Sequence, residues 1–438
     1  MIELDMRAVA ITIAAMCFSQ HAAVATDLVV IKQTTCGEIS YPAVKSQLER
    51  DAALGQPKAL DTLGLIFMLG CGVSPDRQLA QSYFQSSAAK GDAQAEHNLA
   101  YTYETGIGAE KNNTLAIYWY GKAAEQGFTN SEINLASMYK DGRGVSKDLT
   151  KATELYRRAA AQGAAMGQTE LGAAYEKGQG IGQDYGQAMA WYQKAAAQKE
   201  PIAMTAIGNM YVHGTGVPQD LQAALRWYGA AAQLGYAIAE DDLGTLYANG
   251  KGVAPDLTQA ADWYAKAAAH GLPIANANLG ALYAAGRGVR QDYQRAAELF
   301  EVAAAAGDAQ GQHNLGYSYL TGKGVKQSDA QAFYWFEKAA KQGHADAQHN
   351  LGLMYANGRA VPVDYAEAFR WLKSSSDLGS ATALNDLGIL YEKGLGVPPD
   401  RSKAVDLYRK SAGLGSAKAR ENLQRLLGMD RSDLKSQF

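Results

Sequence analysis

Few residues in this sequence combine the types and spacings that support catalysis. Ser87 and Lys90 are three residues apart, a spacing that places a lysine amine one helical turn from a serine nucleophile. The Ser-Asp-Asn and Lys-Thr-Gly motifs that accompany such a serine in acyl-transfer enzymes are absent. The same spacing recurs at Ser432 and Lys435 near the end of the chain. We therefore interpret both pairs as chance matches and expect no catalytic residue.

Three histidines, His97, His313 and His349, share one position of a recurring pattern and are the candidates for a metal site. If His313 and His349 lie on neighbouring packed helices, their backbones are about 10 Å apart. That separation is long for shared coordination. We therefore expect no metal and no cofactor, and we interpret these histidines as part of a polar interaction surface.

The elements that carry these residues follow an unbroken period of 36 residues. A leucine marks every step except the fifth, where Ile207 replaces it: Leu63, Leu99, Leu135, Leu171, Leu243, Leu279, Leu315, Leu351, Leu387 and Leu423. A period of this size predicts a solenoid, in which each repeat buries its apolar face only against its neighbours. The Gly-x-Gly pairs, such as Gly250 and Gly252, follow no strand, so they predict turns and not phosphate-binding loops.

Each repeat predicts two helices. The first carries Leu, Gly and Tyr on one face and ends at a glycine suited to a left-handed C-cap. The second opens at an N-cap residue in every repeat: Asp76, Asn112, Asp148, Asp184, Asp220, Asp256, Asp292, Ser328, Asp364 and Asp400. Four residues later an invariant alanine predicts a close helix crossing. An aromatic pair follows, and we interpret its tryptophans as the spine of the core.

Short segments flank the repeats. A positive start, an apolar stretch and a small-residue site predict a secretory signal that is cleaved after Ala25, with a lipid anchor at Cys17 as the alternative. The predicted boundaries are 1–25 for the signal peptide, 26–55 for an N-terminal segment and capping helix, 56–415 for ten repeats, 416–428 for a C-terminal capping helix and 429–438 for a tail.

Two cysteines, Cys36 and Cys71, belong to the expected mature chain. An even count in an exported protein suggests one disulfide. The predicted cap helix follows Cys36, and the antiparallel helix after it ends at Cys71, so both lie at the same end of the helix pair. We predict a Cys36–Cys71 bridge that closes the N-terminal end, with two free thiols as the alternative.

The net charge of −3 argues against a strongly basic nucleic-acid-binding protein, and no basic stripe is evident from the sequence. We therefore expect no nucleic acid among the partners. The apolar stretch of the signal is too short for a stable anchor, so we expect no membrane span in the mature chain.

The repeat unit A-x-x-x-L-G-x-x-Y-x-x-G-x-G-V-x-x-D-x-x-x-A-x-x-W-Y-x-K-A-A-x-x-G resembles the Sel1-like repeat, a relative of the tetratricopeptide repeat, over residues 56–428. The resemblance implies an all-α, right-handed α/α superhelical solenoid of about ten helix-turn-helix repeats with a cap at each end. It also implies a non-enzymatic adaptor that binds a protein partner, from the envelope or a host, on a concave face lined by first helices.

Bacterial members of this family are often exported, so the resemblance also implies a periplasmic or secreted protein. Two other functions are open at this stage. One is a scaffold for envelope polysaccharide export or assembly. The other is a weak hydrolase that acts on β-lactams or cell-wall peptides.

Positions whose residue differs from repeat to repeat, while the packing residues stay the same, are the candidates for binding. They lie on the first helix, one or two residues before the leucine and two, five and six residues after it. Exposed apolar and aromatic side chains at such positions are candidate hot spots. The candidate partner-binding residues are Tyr101, Glu104, His313, Tyr317, Leu320, His349, Leu353 and Asn357.

Overall fold

The structure, a computed structural model, describes residues 41–428. This range contains 22 helices of 11 to 13 residues and no strand. The ten first helices are α2 (Pro57–Leu69), α4 (Ala93–Thr105), α6 (Thr129–Asp141), α8 (Ala165–Lys177), α10 (Pro201–His213), α12 (Ala237–Asn249), α14 (Pro273–Ala285), α16 (Ala309–Thr321), α18 (Ala345–Asn357) and α20 (Ala381–Lys393). The ten second helices are α3 (Arg77–Ala88), α5 (Asn113–Glu125), α7 (Leu149–Ala161), α9 (Tyr185–Ala197), α11 (Leu221–Ala232), α13 (Leu257–Ala269), α15 (Tyr293–Ala305), α17 (Asp329–Lys341), α19 (Tyr365–Asp377) and α21 (Arg401–Gly413). Helices α1 (Tyr41–Ala53) and α22 (Ala417–Leu427) precede and follow them, so the predicted all-α class with ten helix pairs is confirmed.

The helices form two compact units, with α1–α10 in residues 1–219 and α11–α22 in residues 220–438. Within each unit a helix packs chiefly on the helices before and after it in the chain. This is the packing of a solenoid, whose core is buried one repeat at a time. Direct packing between first helices is most extensive for α14 and α16, both in the second unit. No helix in residues 41–428 is long and apolar enough to cross a membrane.

The predicted N-caps set the start of every second helix. In all ten repeats the cap side chain accepts a hydrogen bond from a backbone N–H in the first helical turn, as Asp148 does from Lys151 and Asp292 from Arg295. Each first helix ends at a glycine with φ between +63° and +79°, a left-handed conformation that glycine adopts without steric cost. These caps fix the end of each first helix and the start of each second helix, so the loop between them has the same length in every repeat.

In each repeat the position directly after the tryptophan position is deeply buried, and these residues form the spine of the core. Tyr120, Tyr192 and Tyr408 are at most 2% exposed, whereas all six tryptophans are only partly buried. The rings of this spine lie against the glycine of the first helix. A Cβ built on Gly244 would lie 2.6 Å from the ring of Tyr264. The prediction that the tryptophans form the spine of the core was therefore wrong, because they pack beside it. The glycine of the first helix leaves room for the ring of the residue that follows the tryptophan position.

Several sequence-based predictions fall outside the described residues. They include the signal peptide with its cleavage after Ala25, Cys17, Cys36 and the tail. Cys71, just after α2, is 1% exposed. Its bridge to Cys36 stays a prediction.

Candidate functional site

The candidate partner-binding residues lie on three first helices. Tyr101 and Glu104 are on α4 in the first unit. The other six are on two neighbouring helices of the second unit, namely His313, Tyr317 and Leu320 on α16 and His349, Leu353 and Asn357 on α18. The structure therefore places these six residues on the first helices of two adjacent repeats.

The two candidates on α4 face the protein interior. Tyr101 is only 7% exposed. Glu104 accepts a hydrogen bond from the Tyr120 hydroxyl at 2.8 Å and forms an ion pair with Arg143 of the next repeat. The Asn134 side chain donates to the same hydroxyl at 3.1 Å. Glu104 therefore joins two repeats, and its carboxylate is already engaged.

Replacing Glu104 by alanine is expected to lower the free energy of unfolding by about 2 kcal/mol, because Tyr120 and Arg143 each lose a partly buried partner. Urea unfolding followed by circular dichroism measures the change. Glu125→Ala is the control, since this carboxylate is 75% exposed and pairs only with Lys122 at 4.0 Å. Equal losses for the two variants would show that the Glu104 contacts add nothing to stability.

The two candidate histidines of the second unit belong to a polar ladder between neighbouring first helices. The ladder joins the residue two before the leucine of one repeat to the residue one before the leucine of the next. The Asn350 side chain donates to Nε2 of His313 at 3.2 Å, and Nε2 of His349 lies 2.7 Å from a carboxylate oxygen of Asp386. The same register recurs between Asn98 and Asp61, Asn278 and Asp241, and Asn422 and Asn385. These contacts align consecutive repeats.

The environment of His313 keeps its ring neutral. The ring stacks on His344 with centroids 4.7 Å apart and contacts the Phe336 ring at 5.7 Å. Burial, together with the neighbouring His344, lowers the pKa of His313 to about 4. A neutral ring can accept the hydrogen bond from Asn350 at pH 7. Within the described helices no group of three His, Cys, Asp or Glu side chains could hold a metal ion.

Ser87 has a structural contact and is not presented to solvent. It is fully buried, and its hydroxyl donates to the Pro57 carbonyl at 2.8 Å. Equivalent serines of two later repeats, Ser375 and Ser411, donate to the first turn of their own first helices in the same way. The Ser87–Lys90 spacing therefore coincides with a helix-packing contact.

A groove of about 280 Å³ opens between α14 and α16. One wall is Tyr317, which is 47% exposed, and Lys323 and Tyr293 lie at the loop end, with the Lys323 ammonium 5.0 Å from the Tyr293 ring centroid. The remaining lining is small or apolar for the most part: Ala281, Ala284, Ala285, Ala296, Phe300, Asn314 and Ser318. Tyr317 is the candidate that the structure places best for contact with a partner.

The other candidates in the second unit frame this region less directly. Leu320 is half-buried and packs on the core of repeats eight and nine. Leu353 is also half-buried, and Asn357 is exposed at the end of α18. The alanines of the groove could not be recognised from the sequence, because small residues carry no binding signal until a larger neighbour such as Tyr317 stands opposite them.

A row of exposed cations follows the loops between first and second helices in repeats six to eight. We call it the basic edge, and it consists of Lys251, Arg287, Arg290, Lys323 and Lys326. None of these side chains forms an ion pair with another residue in the described part of the chain. Residues 250–256, 286–292 and 322–328 hold five Lys or Arg against two Asp, a net charge of +3 in a chain of net charge −3.

The basic edge was not recognised from the sequence, because these loops were interpreted only as turns. The available signal was the recurrence of a cation at Lys251, Arg287 and Lys323, each 36 residues after the last. Arg359 occupies the same position in repeat nine, but it binds Asp329 through two nitrogens at 2.6 and 3.1 Å. Among the cations at this position in repeats six to nine, those of repeats six to eight therefore have no acidic partner within residues 41–428.

Comparison with known families and structures gives a consistent result. The model of the Sel1 repeat matches ten consecutive segments: 57–92, 93–128, 129–163, 165–200, 201–236, 237–272, 273–308, 309–344, 345–380 and 381–416. A similar solved structure is c5321, a protective antigen present in uropathogenic Escherichia coli strains, with 29% identity over 89% of this chain and 92% of that chain and a TM-score of 0.53. Another is a Sel1 repeat protein from Oxalobacter formigenes, with 31% identity over 71% of this chain and 90% of that chain and a TM-score of 0.52. No curated protein sequence matches this chain.

Proposed function

Because this chain belongs to the Sel1 repeat family, we propose that it is an exported, non-enzymatic scaffold that binds a protein partner on the face formed by its first helices. Sel1 repeat proteins generally mediate protein–protein interactions. The observation that carries the proposal is the groove between α14 and α16, where Tyr317 is exposed in an otherwise repeated frame.

The size and lining of the groove suit a side chain of a partner protein. Its volume of about 280 Å³ lies just below the ~300–1,000 Å³ of pockets that enclose small molecules. An exposed tyrosine beside a shallow apolar floor is typical of interface hot spots, where a rigid aromatic ring contributes contact area at little cost in conformational entropy.

Two observations support an exported location. Residues 1–25 have the pattern of a secretory signal. The similar structure from uropathogenic Escherichia coli is a protective antigen, which fits a protein that leaves the cytoplasm. Detection of a mature N-terminus at Thr26 in the periplasm or medium is the test of this part of the proposal.

The hydrolase alternative has little support. Ser87 is buried and bonded to a backbone carbonyl, so a substrate would have no access to its hydroxyl without local unfolding. Nothing observed favours a polysaccharide partner over a protein partner at the groove, whose lining is mainly apolar.

Replacing Tyr317 by alanine is expected to weaken partner binding at least about tenfold, which is the loss of a moderate hot spot of ~1.4 kcal/mol. The partner is first captured from envelope fractions and host secretions, identified by mass spectrometry and purified. Its dissociation constant is then measured for both proteins by calorimetry.

Tyr334→Ala is the matched control, because Tyr334 is 44% exposed but lies on the second helix α17. It should bind as the unmodified protein does. If Tyr317→Ala also binds with unchanged affinity, the first-helix face of repeat eight is not the binding site.

A further inference from the structure

We infer that the segment of the partner bound by this chain is acidic and extended, with carboxylates that reach the basic edge and an apolar side chain that enters the groove. The inference rests on the proposed function and specifies the chemistry of the partner. It is carried by two observations in the second unit: the unpaired cations of three consecutive loops and the groove that ends at one of them.

The repeat frame does not require the cations of the basic edge. The equivalent loops of repeats four and five, residues 178–184 and 214–220, contain no Lys or Arg and adopt the same turn, since their glycines have the same positive φ as those of repeats seven and eight. Where a cation of this position serves packing, as Arg143 and Arg359 do, it is bound to Glu104 or Asp329. The cations of the basic edge have no such acidic neighbour.

Charges of one sign in successive loops repel each other, and an acidic ligand removes that repulsion on binding. The carboxylates of Asp256 and Asp292, which lie on these loops, form no ion pair with the cations of the basic edge. Asp256 and Asp292 accept hydrogen bonds from the first turns of α13 and α15, where they offset the positive end of the helix. In repeat eight the same position is Ser328, which is uncharged. The excess positive charge is therefore greatest at Lys323 and Lys326.

Lys323 connects the two parts of the site, because it belongs to the basic edge and also lines the groove. One ligand chain can therefore place a carboxylate at Lys323 and a neighbouring apolar side chain in the groove beside Tyr317. Helices of neighbouring repeats are about 10 Å apart. An extended peptide in the polyproline II conformation has three residues per turn and rises about 3.1 Å per residue, so every third side chain lies on the same side, about 9 Å from the last. Carboxylates at every third residue therefore match the spacing of the loops.

The apolar lining favours a protein segment over an acidic polysaccharide. A polysaccharide offers carboxylates but no apolar side chain to cover Ala281, Ala284 and Phe300. A continuous polyanion also gains most from a long track of cations, and the basic edge spans only three repeats. An acidic peptide with leucine or phenylalanine between its carboxylates satisfies both parts of the site.

The test uses the full chain and two fluorescein-labelled synthetic peptides, observed by fluorescence anisotropy. One peptide carries Glu at every third position with Leu between, and the other has Gln in place of each Glu. The Glu peptide is expected to bind at least about tenfold more tightly, with an affinity that falls as salt is raised. The double variant Arg287→Glu/Lys323→Glu should lose this preference, while circular dichroism shows an unchanged helix content.

Lys410→Glu/Lys418→Glu is the control for net charge, since it makes the same change in charge at two exposed cations on α21 and α22, away from the basic edge. It should retain the preference for the Glu peptide. Equal binding of the two peptides, or a preference that survives the double charge reversal, overturns the inference. So does alginate that competes as well as the Glu peptide at equal carboxylate concentration. A captured partner that depends on Tyr317 but not on Arg287 and Lys323 leaves the scaffold function standing and refutes only its acidic specificity.

Discussion

Asp61→Asn is expected to raise the free energy of unfolding at pH 8 by about 2–4 kcal/mol. Asp61 is 7% exposed on α2, and its carboxylate accepts one hydrogen bond from Asn98 at 2.8 Å. Burial raises its pKa from 3.8 to about 7, the nearby Asp92 adds to the rise, and the Asn98 hydrogen bond opposes it. Each unit of pKa difference between the folded and unfolded states corresponds to 1.36 kcal/mol. Asparagine keeps the shape and an acceptor for Asn98 without a buried charge.

The effect has a defined dependence on pH. Because the folded-state pKa is raised, the native carboxyl holds its proton between about pH 4 and pH 7 while the unfolded chain releases it. The contribution of Asp61 to stability is therefore present below pH 4 and is lost as the pH rises through 7. The difference between the variant and the unmodified protein should be small at pH 4 and largest above pH 7.

Urea unfolding at a series of pH values measures this difference. Burial raises the pKa of Asp242 to about 7 as well, so only the comparison of the two proteins isolates Asp61. Asp406→Asn is the control, since its side chain is 64% exposed, and it should show no such dependence. A variant less stable than the unmodified protein at pH 8 would mean that the Asn98 hydrogen bond to a charged carboxylate outweighs desolvation.

Gly288→Ala is expected to lower the free energy of unfolding by about 3 kcal/mol. Gly288 has φ +74°, and a Cβ there would lie 2.2 Å from the Leu257 carbonyl oxygen of the preceding repeat. A left-handed alanine costs about 1–2 kcal/mol, and forcing packed backbones apart costs a further ~1–3 kcal/mol. The absence of a Cβ at Gly288 thus allows the close approach of repeats six and seven. Differential scanning calorimetry or urea unfolding measures the loss.

Gly307→Ala separates the two costs, because Gly307 has φ +92° but nothing within 4 Å of a built Cβ. Its loss should be limited to the ~1–2 kcal/mol of the left-handed conformation. An alanine at the position of Gly288 in repeat nine allows the opposite substitution to be tested. Ala360 occupies the position of Gly288 in repeat nine with φ +66°, so Ala360→Gly should stabilise the chain by about 1 kcal/mol. Equal losses at Gly288 and Gly307 would show that the contact with Leu257 is readily relieved.

Local signals predicted the helices well. The ten N-cap residues, the C-cap glycines and the invariant alanines are determined by the few residues around them, and each has the expected role in the structure. The period then placed these helices in pairs, since every repeat has the same length. The fold class therefore followed from the sequence.

The site was less predictable, because it depends on which side chains meet across repeats. His349 and Glu104 were interpreted as exposed because their positions vary between repeats. Yet their partners, Asp386 and Arg143, lie 37 and 39 residues further on, in the next repeat. A residue that differs from its equivalents in other repeats can thus be engaged by a neighbouring repeat and is not necessarily free to bind. Tyr317 differs from these two, since its side chain is exposed beside a groove.

The polar ladder has a consequence for how such arrays change in length. Its rungs are specific pairs, so repeats are not interchangeable modules. Loss of repeat nine, residues 345–380, would bring His313 opposite Asp386, and this histidine–carboxylate pair already exists between His349 and Asp386. Loss of repeat eight, residues 309–344, would instead bring Ala277 opposite Asn350 and leave that amide without its acceptor. Deletion of repeat eight is therefore expected to cost more stability than deletion of repeat nine.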